Sequence, residues 1–323
     1  LAMLDGMKEE GTIADWSPIP YDWRLSPDDI LNYGRNIAGR LYYSGDLAAT
    51  STPYVIQELK RLAATSRTGK VTIIAHSNGG LVAKALMMRL EEMGQASLVD
   101  KVILLASPQL GTPKAIASVL HGEDQEYLGG MIMDKPHARE LARNMSGAYQ
   151  LLPSRGYFSV VADSPVIVRD TPSTQALFDA YCSSADSFEE LSALLRGDEG
   201  RTGASFEDVE LLNNLNGSLI AQADDLHALI DGWTAPPGVE VIEIAGWGLD
   251  TIRGIRYSER RIEGCTTGTC RRLTYTPLFT DDGDETVVVP SALATASSTR
   301  YWVDLRQANQ DLSENWKHAD ILE

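Results

Sequence analysis

Residues 73–80 read Ile-Ile-Ala-His-Ser-Asn-Gly-Gly, and they decide how this chain folds. An apolar, β-branched run at 71–74 leads into them, and a helix-forming stretch at 81–92 follows. An apolar run of this length bounded by small residues is typical of a buried strand, whereas the longer stretch behind it has the composition of a helix. The pattern therefore predicts a strand, a sharp turn with Ser77 at its apex, and a helix directly behind it.

Small residues surround Ser77 on both sides. A sharp turn leaves no room for large side chains two residues before and two residues after the serine, and these positions hold Ala75 and Gly79. Gly80 then allows the helix to pack closely on the sheet. The spacing matches G-x-S-x-G with alanine in the first position, and it favours Ser77 as a nucleophile. The alternative is a small-residue turn that only joins a strand to a helix.

Length and charge limit the classes of protein that need to be considered. The chain has 323 residues, which suffices for one large domain or for a domain with an insertion. Its 45 acidic and 28 basic residues give a net charge of −17, which disfavours nucleic acid and anionic membrane surfaces as partners. No apolar run approaches the roughly 20 residues that span a bilayer, so the sequence predicts no integral membrane span.

Strand and helix signals alternate at the two ends of the chain. A helical pattern at 53–64 lies between the first two strand signals, and such alternation is typical of a parallel, doubly wound α/β sheet. We therefore expect an α/β core built from residues 1–120 and 236–323. The strand signals lie at 23–25, 71–75, 102–106, 239–245 and 286–289.

Between the two parts of the core, residues 121–235 no longer alternate between strand and helix patterns. A capping box of Ser187 and Glu190 predicts a helix that ends near residue 196. The stretch 205–230 places apolar residues along one helical face. An insertion of this length exceeds one crossover, so we expect a helical cap whose 205–230 helix covers the pocket over Ser77. Ordinary crossover helices of the core are the alternative.

The three cysteines give information on the cellular compartment of the protein. Cys265 and Cys270 flank Thr-Thr-Gly-Thr between strand-like runs at 256–263 and 271–279, so a hairpin would bring them within disulfide distance. A disulfide would indicate an oxidising location, extracellular or in the cell envelope. Two reduced thiols are the alternative, and the pair offers too few ligands for a metal site. Cys182 is expected to be a small buried residue.

A nucleophilic serine needs a histidine to take its proton and a carboxylate to orient that histidine. The expected chain order is serine, acid, histidine. Of the five histidines, His318 alone follows a suitable acidic loop. A surface histidine in a tail is the alternative for His318. His76 adjoins the serine but points elsewhere at a sharp turn, so we expect it to pack or to form a hydrogen bond.

The acidic loop occupies residues 281–290, which read Asp-Asp-Gly-Asp-Glu-Thr-Val-Val-Val-Pro. Asp284, directly after a glycine, is the preferred orienting acid, and Asp282 is the second choice. A calcium-binding loop is the alternative, but the loop supplies too few ligands in the required pattern.

Seven stretches in order along the chain form a recognisable set. They are Tyr-Asp-Trp-Arg-Leu-Ser at 21–26, the serine turn at 75–80, Leu-Leu-Ala-Ser-Pro-Gln-Leu-Gly-Thr-Pro at 104–113, Ser-Gly-Ala-Tyr-Gln-Leu-Leu-Pro-Ser at 146–154, Ala-Gly-Trp-Gly-Leu-Asp-Thr at 245–251, and the segments 283–287 and 318–322. Together they resemble the lecithin:cholesterol acyltransferase-like lipases, which have the α/β-hydrolase fold. The resemblance implies that Ser77 is the nucleophile, Asp284 the acid and His318 the base, with no cofactor and no metal. It also implies that the main-chain N–H of Asn78 forms half of the oxyanion hole.

The N-terminal segment differs from the pattern of this family. Residues 1–11 resemble the helix that follows the family's oxyanion loop, and the first strands and the loop itself are not seen before them. We expect a preceding segment or another chain to complete the sheet and to supply the second oxyanion donor.

The sequence thus predicts a serine esterase or lipase that acts on carboxylic acyl esters, with lipid as the expected substrate class. The alternatives are an acyltransferase of the same family and a non-catalytic α/β-hydrolase-like module that lacks a complete oxyanion hole.

Overall fold

A computed structural model describes residues 2–45, 52–124, 133–266 and 270–322 of the chain. Residue 1 of the expected N-terminal helix, residues 125–132 of the expected cap and residues 267–269 of the predicted hairpin turn lie outside the described residues.

The secondary structure mixes helices and strands along the chain. The strands are β1 (Gly34–Ile37), β2 (Arg40–Tyr43), β3 (Val71–His76), β4 (Val99–Leu105), β5 (Val166–Val168), β6 (Ser184–Ala185), β7 (Glu240–Trp247), β8 (Thr251–Arg261), β9 (Arg271–Thr280) and β10 (Thr299–Asp304). The helices are α1 (Ala2–Glu9), α2 (Pro27–Tyr33), α3 (Tyr54–Thr65), α4 (Gly79–Glu92), α5 (Pro113–His121), α6 (Lys135–Ala142), α7 (Ser146–Tyr149), α8 (Arg155–Val160), α9 (Gln175–Tyr181), α10 (Phe188–Arg196), α11 (Gly217–Ile230), α12 (Val289–Ala292) and α13 (Leu305–Leu312), with 3-10 turns at Ala96–Leu98 and His318–Leu322.

The chain forms two compact units, and each unit combines segments that are distant in sequence. The first unit comprises Leu1–Gln109, Gly232–Gly246 and Ala292–Glu323. The second comprises Leu110–Asp231 and Trp247–Ser291. The division into a core at 1–120 and 236–323 with a helical cap at 121–235 stays a prediction.

The first unit contains a four-stranded sheet in the order β10-β7-β4-β3. Strands β3, β4 and β7 run parallel, with Ile74 opposite Ile103 and Ile103 opposite Ile242. Parallel neighbours require a crossover connection, and α4 supplies it between β3 and β4. Apolar side chains from α3, α4 and the strands form the core of this unit; among them are Ile56, Met87, Leu90, Val102, Leu104 and Val241. The structure therefore confirms an α/β protein with a parallel sheet.

The second unit contains a mixed sheet in the order β6-β5-β8-β9. Strands β8 and β9 form a long antiparallel hairpin with Tyr257 opposite Tyr275. The predicted disulfide is confirmed near the tip of this hairpin, where Cys265 and Cys270 are bonded with a Cα–Cα distance of 5.4 Å. The predicted capping helix is also confirmed, because Ser187 accepts a hydrogen bond from the main-chain N–H of Glu190 at the start of α10.

Two of the expected strands are absent from the described structure. Residues 23–25 form a turn, because the Asp22 carboxylate accepts hydrogen bonds from the main-chain N–H and the guanidinium of Arg24. Residues 286 and 287 form a bend, because Asp284 Oδ1 accepts hydrogen bonds from their main-chain N–H groups. Val288 then forms an isolated bridge to Gly283, and α12 begins at Val289. In both places an aspartate offers the backbone a local partner, which competes with strand pairing.

The expected helix at 205–230 was too long. It begins only at Gly217, where the Asn216 side chain accepts a hydrogen bond from the main-chain N–H of Ser218. The backbone before it is irregular, and Leu212 is buried there in the core of the second unit. Cys182 was also wrongly expected to be buried, since it is exposed and ends α9 with φ at 55°.

Candidate active site

Ser77 lies at the turn between β3 and α4, and its backbone is strained. Its φ is +54°, a left-handed conformation that a residue with a side chain adopts only at an energetic cost. The surrounding hydrogen bonds enforce it. The main-chain N–H of Ser77 donates to the carbonyl of Leu105 on β4 at 3.0 Å, and the N–H of Gly80 donates back to the Ser77 carbonyl at 2.9 Å.

The steric demand for glycine in this turn lies at Gly80. A Cβ atom at Gly80 would lie 2.2 Å from Ser107 Oγ and 2.5 Å from Ser107 Cβ, closer than atoms can approach. At Gly79 a Cβ atom would lie 3.6 Å from the Tyr21 hydroxyl and 3.9 Å from Ala75 Cβ, which are ordinary contacts. Close packing of α4 on the segment directly after β4 therefore requires glycine at position 80, while position 79 has room for a methyl group.

The fold brings Ser77 and His318 together from positions 241 residues apart. Ser77 Oγ and His318 Nε2 lie 2.8 Å apart, in a partly buried environment. When Nε2 carries no proton, the hydroxyl donates to it at this distance, and the imidazole can take the proton when the oxygen attacks a substrate.

The C-terminal segment that carries His318 is held mainly by polar contacts. His318 opens the 3-10 turn His318–Leu322, in which no residue is buried. Before the turn, the Asn309 side chain exchanges two hydrogen bonds with the main chain of Trp316, at 2.9 and 2.6 Å. His76 Nε2 lies 2.8 Å from the main-chain oxygen of His318. The sequence predicted a packing or hydrogen-bonding role for His76, and nothing in the local pattern identified His318 as its partner.

Asp284 belongs to the second unit, where it is 1% exposed. Its Oδ1 accepts hydrogen bonds from the main-chain N–H of Thr286 at 3.0 Å and of Val287 at 2.8 Å. The next residue, Glu285, has φ at +83°, and its N–H donates to Thr251 Oγ1 at 2.8 Å. These contacts hold the carboxylate in one orientation.

Asp282, the second candidate acid, has different surroundings. Burial raises the pKa of its carboxyl, and the nearby charge of Asp281 adds to this effect. The acid of a catalytic triad must stay negatively charged. A raised pKa makes the charged form of Asp282 less favoured, so Asp282 is less suited to this role.

Asn78 occupies the N-terminal end of α4, with helical φ and ψ of −52° and −26°. Main-chain N–H groups in the first turn of a helix have no intrahelical carbonyl to bind and carry the positive end of the helix dipole. Such an N–H is suited to bind a developing negative charge. The Asn78 side-chain Oδ1 is buried, and it accepts no hydrogen bond within the described part of the chain.

The described residues hold no group of three or more histidine, cysteine, aspartate or glutamate side chains able to bind a metal ion. Within the same ranges, no helix is both long enough and apolar enough to cross a bilayer.

The family model for lecithin:cholesterol acyltransferase matches residues 2–317. The chain belongs to this family. The matched range includes Ser77 and Asp284 and ends one residue before His318. The parallel sheet is consistent with the α/β-hydrolase fold of the lecithin:cholesterol acyltransferase family.

Among solved structures, the chain is similar to one in the crystal structure of the Tle4–Tli4 complex. The two are 17% identical with a TM-score of 0.45, and the match covers 76% of this chain and 56% of the other. This chain therefore spans little more than half the length of that structure. No curated protein matches the sequence.

Proposed function

We propose that this protein is a serine hydrolase that cleaves carboxylic acyl esters, lipid esters in particular, through an acyl-enzyme on Ser77. The observation that carries the proposal is the 2.8 Å contact between Ser77 Oγ and His318 Nε2, made at a strained strand-to-helix turn. Backbone strain of this kind persists where the surrounding structure enforces it, and it is concentrated at functional sites.

In the proposed reaction His318 Nε2 takes the Ser77 hydroxyl proton while Oγ attacks the ester carbonyl carbon. The oxyanion that forms is bound by the main-chain N–H of Asn78, and one such donor contributes about 3–4 kcal/mol to transition-state stabilisation. His318 then gives its proton to the departing alcohol, which leaves an acyl group on Ser77. A water molecule, deprotonated by His318, releases the acid and restores the serine.

We assign Asp284 as the carboxylate that orients His318. Two features of its own unit support this role, namely its burial and the two main-chain N–H groups that fix its carboxylate. Asp284→Asn should lower kcat by orders of magnitude, because an amide stabilises the wrong imidazole tautomer. Asp282→Asn is the matched control and should retain most of the activity. If Asp282→Asn is inactive and Asp284→Asn retains its activity, the orienting acid is Asp282.

For the substrate we propose a neutral or zwitterionic ester. The net charge of −17 opposes the approach of anionic molecules, although salt screens this effect. A series of p-nitrophenyl esters from acetate to palmitate tests the lipid assignment. Preference for medium or long chains supports a lipase, and strict preference for acetate leaves only an esterase.

Labelling with a fluorophosphonate probe tests the nucleophile directly. The probe reacts with a serine only when a base activates it. Wild-type protein should be labelled, and Ser77→Ala, His318→Ala and heat-denatured protein should not. A folded wild-type protein that resists the probe would favour a non-catalytic module.

For location we propose the extracellular space or the cell envelope, which the Cys265–Cys270 disulfide supports because such bonds persist in oxidising compartments.

A further inference from the structure

His76 and Ser77 are consecutive in sequence, and both contact His318. Ser77 contacts the side chain of His318, as described above. His76 contacts the main chain, with Nε2 2.8 Å from the carbonyl oxygen of His318. The two imidazole rings also lie close together, with centroids 4.8 Å apart and planes inclined at 38°.

The direction of the His76 hydrogen bond follows from chemistry alone. A carbonyl oxygen only accepts, so Nε2 of His76 carries a proton and donates it. This holds for the neutral Nε2–H tautomer and for the doubly protonated ring. The contact therefore persists whatever the charge of His76.

Besides its contact with Ser77, the C-terminal segment forms local hydrogen bonds. Asn309 binds Trp316, the Lys317 N–H donates to Asp320 Oδ2 at 2.9 Å, and the Asp320 N–H donates to the Lys317 carbonyl at 2.9 Å. These bonds tie the segment to itself and to α13, and no residue of the turn is fully buried. The His76 bond ties it to the end of β3, directly before Ser77.

We propose that His76 is a positioning residue, which holds the main chain of His318 so that Nε2 stays within hydrogen-bond distance of Ser77 Oγ. The inference rests on the proposed roles of Ser77 and His318. A misplacement of about 1 Å in a reacting group lowers a rate on the order of a hundredfold. Loss of the main-chain anchor should therefore lower kcat more than it changes KM.

Two variants separate the hydrogen bond from ring packing. His76→Phe keeps an aromatic ring of similar size and loses the donor, whereas His76→Gln keeps an N–H donor and loses the ring. We expect His76→Phe to lower kcat on a short-chain p-nitrophenyl ester about 10- to 100-fold at nearly constant KM. His76→Gln should restore most of that loss. His137→Phe, at an exposed histidine of the second unit, is the control and should leave kcat unchanged.

Hydrogen exchange supplies a readout that does not depend on activity. The amide of Asp320, which donates within the turn, should exchange severalfold faster in His76→Phe than in wild-type protein and in His76→Gln. Equal exchange in all three proteins overturns the proposal. A loss of kcat that His76→Gln fails to restore also overturns it, because ring packing then accounts for the effect.

The fluorophosphonate assay distinguishes this failure from failure of the proposed function. If wild-type protein is labelled and His76→Phe is labelled equally fast, the positioning role is wrong and the catalytic assignment stands. If wild-type protein is not labelled, the catalytic assignment fails, and with it the positioning role.

Discussion

Gly80 offers the sharpest test of the serine turn, because its neighbour Gly79 is a matched control. Both glycines lie in the first turn of α4. An added methyl group would overlap Ser107 at position 80 and would make only ordinary contacts at position 79. The two alanine variants therefore differ in packing while sharing the same change in composition.

The expected magnitude follows from the overlap. Two carbon atoms approach comfortably to about 3.5–4 Å, and the new Cβ at position 80 would lie only 2.5 Å from Ser107 Cβ. Ser107 has little freedom to move, since it is fully buried and its carbonyl accepts a hydrogen bond from the Gln109 N–H at 2.8 Å. Overpacking of this kind costs about 1–3 kcal/mol. The helix preference for alanine over glycine offsets up to about 1 kcal/mol.

We therefore expect Gly80→Ala to lower the free energy of unfolding by about 1–2 kcal/mol. Gly79→Ala should leave it unchanged or raise it by up to about 1 kcal/mol. Urea unfolding followed by far-UV circular dichroism measures both values. Adding Ser107→Gly to Gly80→Ala removes the overlapping atoms and should recover most of the loss. Equal stability of the two alanine variants, or no recovery in the double variant, would refute the packing argument.

Three other predictions concern the second unit. Burial lowers the pKa of His121 from 6.5 to about 3, so between these pH values only the unfolded chain binds a proton at this residue. The free energy of unfolding should therefore fall by up to about 1.4 kcal/mol per pH unit as the pH drops from about 6.5 towards 3. If His121→Gln shows the same dependence of unfolding free energy on pH, this prediction is wrong. Alkylation of protein secreted in its native form, followed by mass spectrometry without reduction, should modify the third cysteine and leave Cys265 and Cys270 unmodified; two free thiols there would remove the support for an oxidising compartment. Arg139 donates to three main-chain carbonyls at 2.7–3.0 Å, so Arg139→Lys should lower the free energy of unfolding by about 2 kcal/mol or more. The control Arg143→Lys, at an exposed ion pair, should change it by less than about 0.5 kcal/mol. Similar losses for the two variants in urea unfolding would refute the role of the buried guanidinium.

Features that depend on neighbouring residues could be predicted from the sequence. The strand that ends at His76, the helix behind Ser77 and the capped helix after Ser187 all follow from residue preferences within one or two turns of chain. The hairpin disulfide belongs to the same class, because two cysteines at a turn between strand-forming runs are brought together by local pairing.

The error at residues 205–216 arose because a distant side chain binds the backbone there. Residues 205–216 carry a helical pattern, yet the carbonyls of Ser205, Phe206 and Asp208 accept hydrogen bonds from the Arg139 guanidinium. A carbonyl engaged in this way is drawn out of the i to i+4 ladder of a helix. Two apolar residues of the pattern, Leu212 and Leu215, are still buried, but as parts of an irregular segment.

The sequence by itself determined the strand–turn–helix around Ser77, the parallel α/β core and the membership in the lecithin:cholesterol acyltransferase family, since these depend on short patterns and on their order along the chain. Chain order also selected His318 from five histidines. Only the tertiary structure decided that its Nε2 reaches Ser77 Oγ and that its carbonyl accepts from His76. The reason is physical: 241 residues separate Ser77 from His318, and no local preference carries information about a contact that forms only when sheet and C-terminal turn pack together.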